Sequence, residues 1–323
     1  MYGRISQTVV TLLGVGLASC VAAEEHRIAF APQKDAWRIQ ADGRPLATYV
    51  FRDPVILRPY FKDLHTPEGI QVTRRHPPQK GADPVDHDTM HPGLWLAFGD
   101  LSGSDFWRNK ARVEHAGFLT PPQAQGDWGT FTVRNRYVGT NGVLCEETCT
   151  CTFLVRPAGY LILWDSVFQS DGSAFYFGDQ EEMGLGIRVA TPLMVKPHES
   201  RYRPGRILDD QGRRNETAIW GQSAAWCDYS GWMNDKFVGI TLMPDPGNAT
   251  ACRWHVRDYG FMTANLFGQS VFRQGPVRRT EVPPGQPYRL RFGILIHSSD
   301  REETLDLKTA YQDYLTSLNR LSP

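Results

Sequence analysis

Residues 130–138, TFTVRNRYV, decide the fold class of this chain. The odd and even positions of the stretch carry two different sets of side chains: Phe131, Val133, Asn135 and Tyr137 against Thr132, Arg134 and Arg136. A period of two is that of an extended strand with one face towards a core and the other towards water or a cleft. The stretch therefore predicts a half-buried β-strand.

The same alternation recurs along the body of the chain, broken by Gly, Pro, Asn and Asp. The further predicted strands are residues 36–40, 46–51, 144–155, 160–168, 237–243 and 288–296. The Pro- and Gly-rich segments 76–84 and 274–287 are interpreted as long loops rather than domain boundaries. The sequence thus predicts an all-β fold, a large antiparallel β-sandwich that forms a single domain over residues 24–323.

One helix is predicted near the C-terminal end, over residues 300–320. Ser299 and Glu302 form a capping box at its start. An apolar stripe follows at helical spacing: Leu307, Ala310, Tyr311, Tyr314, Leu315 and Leu318. This stripe predicts that one side of the helix packs against the sandwich.

Residues 1–23 have the pattern of an export signal. Arg4 supplies the positive charge, and residues 9–18 are an apolar run too short to span a bilayer. Two cleavage sites stay open: residues 17–20 resemble a lipobox that would lipidate Cys20, and residues 21–23 suit ordinary signal peptidase. We expect an exported protein, periplasmic or at the cell surface, with membrane contact only through a lipid anchor at Cys20.

The charge balance argues against a nucleic-acid partner. Lys plus Arg equals Asp plus Glu, 35 each, in 323 residues of which 41% are hydrophobic and 22% charged. A zero balance gives no field that would steer the chain towards nucleic acid. The chain also lacks a P-loop, a dinucleotide fingerprint and a Gly-x-Ser-x-Gly elbow, which disfavours nucleotide chemistry and serine hydrolysis.

Five cysteines follow Cys20, an odd number that leaves at least one unpaired. Cys145, Cys149 and Cys151 share parity on a predicted strand, so they point to one face and are interpreted as small core residues. A disulfide between Cys227 and Cys252 stays open at this stage.

Residues 86–107, DHDTMHPGLWLAFGDLSGSDFW, combine histidines, aspartates and aromatic rings more densely than a core strand requires. His87 and His91 lie in a loop that enters a predicted strand, residues 94–98. They suit sugar contact or proton transfer. Metal ligation would need a third ligand, for which three residues are candidates: His76, Asp88 and His255.

The same block ends in three residues that could line a pocket. Asp100, Asp105 and Trp107 follow Gly99 and Gly103, which allow tight turns that would let both acids face one pocket. The alternative is that the two acids cap those turns and that Trp107 belongs to the core.

Residues 177–189 place two adjacent acids before a Gly-spaced strand. Adjacent residues of a strand point opposite ways, so at most one acid faces a cleft. We expect it to be Glu182 rather than Glu181, because Glu182 shares parity with Arg188. A carboxylate beside a fixed guanidinium could act as a base or anchor a hydroxyl group.

Residues 253–267 place Arg253, His255 and Arg257 on one face of a strand. Such a face lines either solvent or a polar pocket, and the two arginines should lower the pKa of His255. Tyr259 and Asn265 follow closely. The tryptophans of residues 220–232 fit sugar stacking as well as core filling.

Four blocks of the chain resemble the bacterial PmoA-like (methane-oxygenase-like) family of unknown function. The blocks are HPGLWLAFGDLSGSDFW (91–107), GLGIRVA (184–190), AAWCDYSG (224–231) and WHVRDYGFMTANLFG (254–268). Many members carry His-His-Arg-Gly where this chain has Met90-His91-Pro92-Gly93, so His91 is the matching histidine. The resemblance implies an exported β-rich protein with a galactose-mutarotase-like supersandwich, often met in bacteria that degrade polysaccharides.

The leading hypothesis is a carbohydrate-active enzyme, a hydrolase, lyase or epimerase, that acts on a glycoside or sugar by general acid/base chemistry without a cofactor. Glu182 would be the base or acid, with His91 or His255 as its partner. The expected substrate contacts are His87, Asp100, Asp105, Trp107, Arg188, Trp254, Arg257, Tyr259 and Asn265. Two alternatives stay open: a sugar-binding sandwich without catalysis, and a metal-dependent enzyme that uses His87 and His91.

Overall fold

The computed structural model describes residue 3, residues 28–273 and residues 275–321. Its strands are β1 (Ile28–Gln33), β2 (Ala36–Ala41), β3 (Arg44–Val50), β4 (Tyr60–Lys62), β5 (Leu94–Phe98), β6 (Arg112–Gln125), β7 (Trp128–Gly139), β8 (Gly142–Arg156), β9 (Gly159–Gln169), β10 (Phe175–Phe177), β11 (Met183–Arg188), β12 (Arg206–Asp209), β13 (Cys227–Met233), β14 (Lys236–Pro244), β15 (Arg253–Arg257), β16 (Phe261–Asn265), β17 (Thr280–Val282) and β18 (Tyr288–Ser299). Its helices are α1 (Asn215–Ile219), α2 (Gln269–Arg273) and α3 (Leu307–Leu321).

Within the described residues, two eight-stranded sheets form the body of the protein. The first sheet has the order β1-β2-β3-β4-β5-β11-β16-β15, and the second has the order β12-β13-β14-β18-β9-β8-β7-β6. All their pairings are antiparallel, and β10 and β17 form a separate two-stranded ribbon. The predicted all-β antiparallel sandwich is confirmed.

The alternation that predicted the fold is realised in the second sheet. In β7 the side chains of Phe131, Val133, Asn135 and Tyr137 are buried between the sheets. Cys145, Cys149 and Cys151 of β8 are buried on the same side, as expected of core residues. Cys227 and Cys252 are also buried, and they are not joined in a disulfide.

The neighbouring strands β5, β11, β16 and β15 of the first sheet are buried on both faces. One set of side chains joins the core between the sheets: Leu94, Leu96, Leu185, Ile187, Trp254, Val256, Met262 and Ala264. The alternate set lies on the opposite side, which we call the outer face: Trp95, Ala97, Arg188, Arg253, His255, Phe261, Thr263 and Asn265. The outer face is therefore the place where the sheet presents polar groups.

The C-terminal helix packs against the second sheet but begins later than expected. Leu307, Tyr314 and Leu318 contact the cluster that contains Leu163 and Leu295. The start predicted at residue 300 is wrong, because α3 begins at Leu307. The side chain of Asp306 caps it, accepting the Thr309 N–H at 2.9 Å, whereas Ser299 donates to the Arg301 carbonyl.

The export signal expected over residues 1–23, with Cys20, lies outside the described residues and stays a prediction. Among the helices that the structure describes, none is long and apolar enough to cross a membrane.

The side chain of Asp306 should stabilise the first turn of α3. Replacing Asp306 with Ala should lower the free energy of unfolding, seen as a lower urea midpoint, because the first turn of α3 loses the acceptor for the Thr309 N–H. Ser299→Ala is the matched control and should change it by less than about 0.5 kcal/mol. Urea denaturation of both variants decides the point, and a larger loss in the Ser299 variant would restore the earlier helix start.

Candidate active site

One row of the outer face crosses four strands. Trp95 pairs with Gly186, Gly186 with Thr263, and Thr263 with His255. A Cβ atom on Gly186 would lie 2.7 Å from the Trp95 indole and 3.0 Å from that of Trp107. The glycine is required here because both indoles lie directly against the strand.

The next row places two arginines on either side of a ring. Arg188 pairs with Phe261, and Phe261 pairs with Arg257. Arg188 donates to both carboxylate oxygens of Asp86, at 3.0 and 2.9 Å. Arg257 donates to Glu181 at 2.5 Å and to Glu216 at 3.3 Å. Each end of this row therefore carries an arginine–carboxylate pair.

His255 is a neutral histidine with a defined tautomer. Its Nδ1 lies 3.0 Å from the main-chain oxygen of Glu181, which can only accept, so Nδ1 carries the proton. The pKa of His255 is lowered to about 4, mainly by burial; Glu181 acts in the opposite direction, and Arg257 contributes to the lowering. The expected lowered pKa is confirmed, although burial rather than the arginines is its main cause. At neutral pH, Nε2 is therefore unprotonated.

The carboxylate of Glu181 lies beside that bare nitrogen. Its Oε1 is 3.2 Å from His255 Nε2, but the two atoms are not aligned for a hydrogen bond. The same oxygen accepts from Trp220 Nε1 at 3.1 Å and from Arg257. Two unprotonated acceptors at this distance repel each other, and a proton taken up at Nε2 would be stabilised by the negative charge of Glu181. The pair is a built proton acceptor.

The two histidines of the 86–107 block are stacked. His91 is buried and lies nearly parallel to Trp95 and Phe261, with ring centroids 5.0 and 4.7 Å away. Burial, with Arg188 next, lowers its pKa well below the usual value. His87 stacks on His91 at 4.9 Å but remains exposed.

Among the described residues no cluster of three or more His, Cys, Asp or Glu is arranged to hold a metal ion.

Several buried polar atoms of this region have no hydrogen-bond partner among the described residues. They are His91 Nδ1, Trp95 Nε1, Trp107 Nε1, His255 Nε2 and Thr263 Oγ1. Buried polar atoms are normally paired, so each exception calls for an explanation. Their concentration on one face points to a functional surface.

A cavity of about 800 Å³ lies elsewhere, between α3 and the second sheet, and contains none of these groups.

Two loops are fixed over this face by Arg58, which is buried. Its guanidinium donates to the carbonyls of Trp107 at 2.9 Å and Met90 at 2.5 Å. The segment that carries His87 and His91 is thereby tied to the one that carries Trp107.

The assignment of Glu182 to the cleft is wrong. Glu182 pairs with Arg108, and Glu181 is the acid that contacts His255 and Arg257. Parity with Arg188 failed as a guide because β11 begins only at Met183. Both acids precede the strand, where alternation does not hold. The partner of Arg188 is Asp86 instead.

Other expected contacts are also corrected. Trp254 is 0% exposed and lies on the core side of β15, and Trp107 is 0% exposed, so neither can stack on a ligand in this structure. Asp100 and Asp105 cap their own turns, accepting the N–H groups of Gly103 and Arg108 at 2.8 and 2.9 Å.

Asn265 and Tyr259 have more specific places. The Asn265 amide donates to the carbonyls of Gln180 and Glu181, at 2.8 and 3.0 Å, so it positions Glu181. Tyr259 is half-buried and lies under the Arg188 guanidinium, 4.7 Å from its ring centroid. No pattern in the sequence pointed to Asp86, Glu216 or the Trp220–Glu181 contact. Only the tryptophan-rich composition of residues 220–232 hinted at the last.

Residues 36–309 match a family described as "Family of unknown function (DUF6807)". That description links the family neither to the PmoA-like proteins nor to export. No curated protein matches the chain in sequence.

Several solved structures resemble the chain weakly. The galactosidase domain of an α-galactosidase–sucrose kinase is 10% identical over 84% of this chain, which spans 42% of that protein's length, with a TM-score of 0.39. A galactose mutarotase-like protein from Lactobacillus casei is 10% identical over 84% of this chain and 100% of its own, with a TM-score of 0.35. A galactose mutarotase related enzyme from Lactobacillus acidophilus is 11% identical over 85% and 98%, with a TM-score of 0.28. Likenesses at these scores carry no argument about the chemistry of this chain.

The buried histidines predict how stability responds to acid. Burial lowers the pKa of His76, His115 and His255 to about 4, against 6.5 in the unfolded chain. Between these values the unfolded state binds more protons, so the free energy of unfolding should fall as pH drops from 6.5 to 4.

Each such histidine contributes at most about 1.4 kcal/mol per pH unit to the slope of the free energy of unfolding against pH. Urea denaturation at several pH values measures the slope, and His255→Gln should make it shallower by one histidine's share. Stability that stays constant over this window would contradict the neutral state of these residues.

Proposed function

The chain belongs to this family of unknown function, and we propose that the protein is a carbohydrate-active enzyme that works by general acid/base chemistry. The observation that carries the proposal is the His255–Glu181 pair. A neutral imidazole with a bare Nε2 lies 3.2 Å from an arginine-bound carboxylate, at the edge of an aromatic surface.

The pair supplies the proton-transfer step. His255 is held by Nδ1 and Glu181 is held through Oε1, so neither has to reorganise when a proton arrives. The side chain of Glu181 is 32% exposed, so a substrate reaches the pair from the Glu181 side. Proton transfer by a positioned group of this kind contributes about 10²–10⁴-fold to a rate.

The surroundings favour a neutral, hydroxyl-rich ring as the substrate. Each exposed carboxylate of the row is already paired with an arginine, so the surface offers hydrogen bonds without a large net charge. Between the two pairs lies the half-buried ring of Tyr259, which packs on the buried Phe261 with ring centroids 6.4 Å apart and planes 23° apart. A polar rim around aromatic rings suits a sugar better than an apolar or strongly charged molecule.

The reaction type we propose is isomerisation or elimination rather than hydrolysis by two carboxylic acids. A glycosidase of the latter kind needs one protonated carboxyl group as its acid. Burial raises the pKa of Asp86, but the contacts with His87 and Arg188 outweigh it and hold the pKa below its usual value, so Asp86 remains ionised at neutral pH. The geometry presents a proton acceptor and no such acid at the Asp86 end of the row.

The test is to incubate the purified protein with free sugars, oligosaccharides and 3-keto glycosides in D₂O. NMR then reads new products, anomer exchange and deuterium incorporation at carbon. Glu181→Gln and His255→Gln should each lower the rate by about 10²-fold or more. Glu182→Gln is the matched control, since the neighbouring acid pairs with Arg108, and it should retain near-normal turnover.

Near-normal turnover in a folded Glu181→Gln variant would contradict the assignment. If a sugar stabilises the wild type against heat but no product forms, the protein is a sugar-binding sandwich and not an enzyme. Thermal unfolding of each variant without ligand serves as the check on folding.

A further inference from the structure

At the other end of the arginine row, Asp86 orients an exposed histidine. His87 Nδ1 lies 2.9 Å from Asp86 Oδ2. A carboxylate held ionised can only accept, so Nδ1 is the donor and Nε2 is the atom left to exchange a proton. The His87 side chain is 42% exposed. This arrangement, in which a carboxylate fixes a histidine through Nδ1, is the one by which triads orient their base.

Asp86 is itself fixed from below. Arg188, whose side chain is 1% exposed, binds both of its oxygens, and the equally buried Arg74 lies 3.6 Å from Oδ1. Arg74 also donates to the main-chain carbonyls of Pro84 and Asp86, at 2.9 and 2.8 Å. Two buried guanidinium groups thus hold one half-exposed carboxylate and its backbone in place.

The backbone and ring of His87 are both constrained. Its φ is 49°, a left-handed conformation that is costly for a residue with a side chain. The N–H groups of Met90 and His91 donate to its carbonyl at 3.2 and 2.8 Å and hold that turn. The ring lies nearly parallel to His91 and Tyr259, with interplanar angles of 22° and 11°. Backbone strain of this kind gathers at functional sites.

The His87 end and the His255 end face the same surface. Arg188 and Arg257 are separated by one strand, and adjacent strands lie about 4.8 Å apart, so their backbones are roughly 10 Å apart. Each arginine holds its own carboxylate and, with it, its own histidine. A single sugar ring with its hydroxyl groups can bridge that gap.

We propose that His87 is the second proton-transfer group of the site and serves as the acid opposite the His255–Glu181 pair; this rests on the proposed function. The pair removes a proton from an O–H or C–H group of the substrate, and the released electron pair forms a new π bond. A C–O bond breaks at the other side, and its oxygen takes the Nε2 proton of the His87 imidazolium. The substrate loses one proton and gains one, and His87 returns to its neutral Nδ1–H form.

This step defines the substrate class. It requires a sugar whose reacting C–O bond is broken with its electrons left on oxygen, such as a hemiacetal or a glycoside β to a carbonyl group. An acid is needed only where the departing oxygen is strongly basic, so the need for His87 depends on that oxygen.

The test compares leaving groups in 3-keto glycosides. His87→Gln should lose about 10²-fold in turnover with a sugar or methanol leaving group, and much less with p-nitrophenolate. Glu181→Gln should lose activity with both. Asp86→Asn should lower turnover with the sugar or methanol leaving group in the same way as His87→Gln, because the His87 ring loses the carboxylate that orients it. His198→Gln, an exposed loop histidine, is the matched control and should behave as the wild type.

The outcomes separate the two proposals. Equal losses by His87→Gln on both leaving groups, or no loss at all, while Glu181→Gln remains inactive would overturn the role of His87 alone. A wild-type protein without turnover on any substrate would overturn the proposed function, and the role of His87 with it.

Discussion

The double burial of β5, β11, β16 and β15 is the constraint on which the rest of this structure depends. A strand sends alternate side chains to opposite faces, so filling the inter-sheet core with one set commits the other set to the outer face. That face is covered rather than solvated, and its charged groups must therefore be paired. Arg188 with Asp86 and Arg257 with Glu181 answer that requirement. The proposed proton transfer takes place next to these pairs, at the Nε2 atoms of His87 and His255.

The sequence predicted the fold well because alternation is a local property. The seven strands that alternation predicted are all present, since each needed only the identity of neighbouring side chains. The predicted start of the C-terminal helix was wrong because two local capping signals lie close together in the sequence. Asp306 caps the first turn of α3, whereas the capping-box pattern of Ser299 and Glu302 does not cap it. Trp254 was misplaced although alternation could have placed it, because a residue next to an outward His255 must face the core.

The site was harder to predict because its contacts are non-local. His255 and Arg257 were identified from one strand, but their carboxylates come from the segment before β11 and from α1. The choice between Glu181 and Glu182 depended on where β11 begins, a boundary that composition does not reveal. Asp86 could not be identified as a site residue from the sequence, because its partner Arg188 lies 102 residues further along the chain. Pairings of this kind are set by strand order, which a single sequence does not contain.

The central claim is that His255 is a neutral imidazole whose Nε2 is unprotonated beside Glu181. The most direct measurement is ¹⁵N NMR of the histidine side chains in the protein, with His255 assigned through the His255→Gln variant, between pH 7 and 4. The account predicts that Nδ1 carries the only ring proton at pH 7 and that the imidazolium forms only near pH 4. An imidazolium at pH 7, or a neutral ring protonated at Nε2, would contradict it.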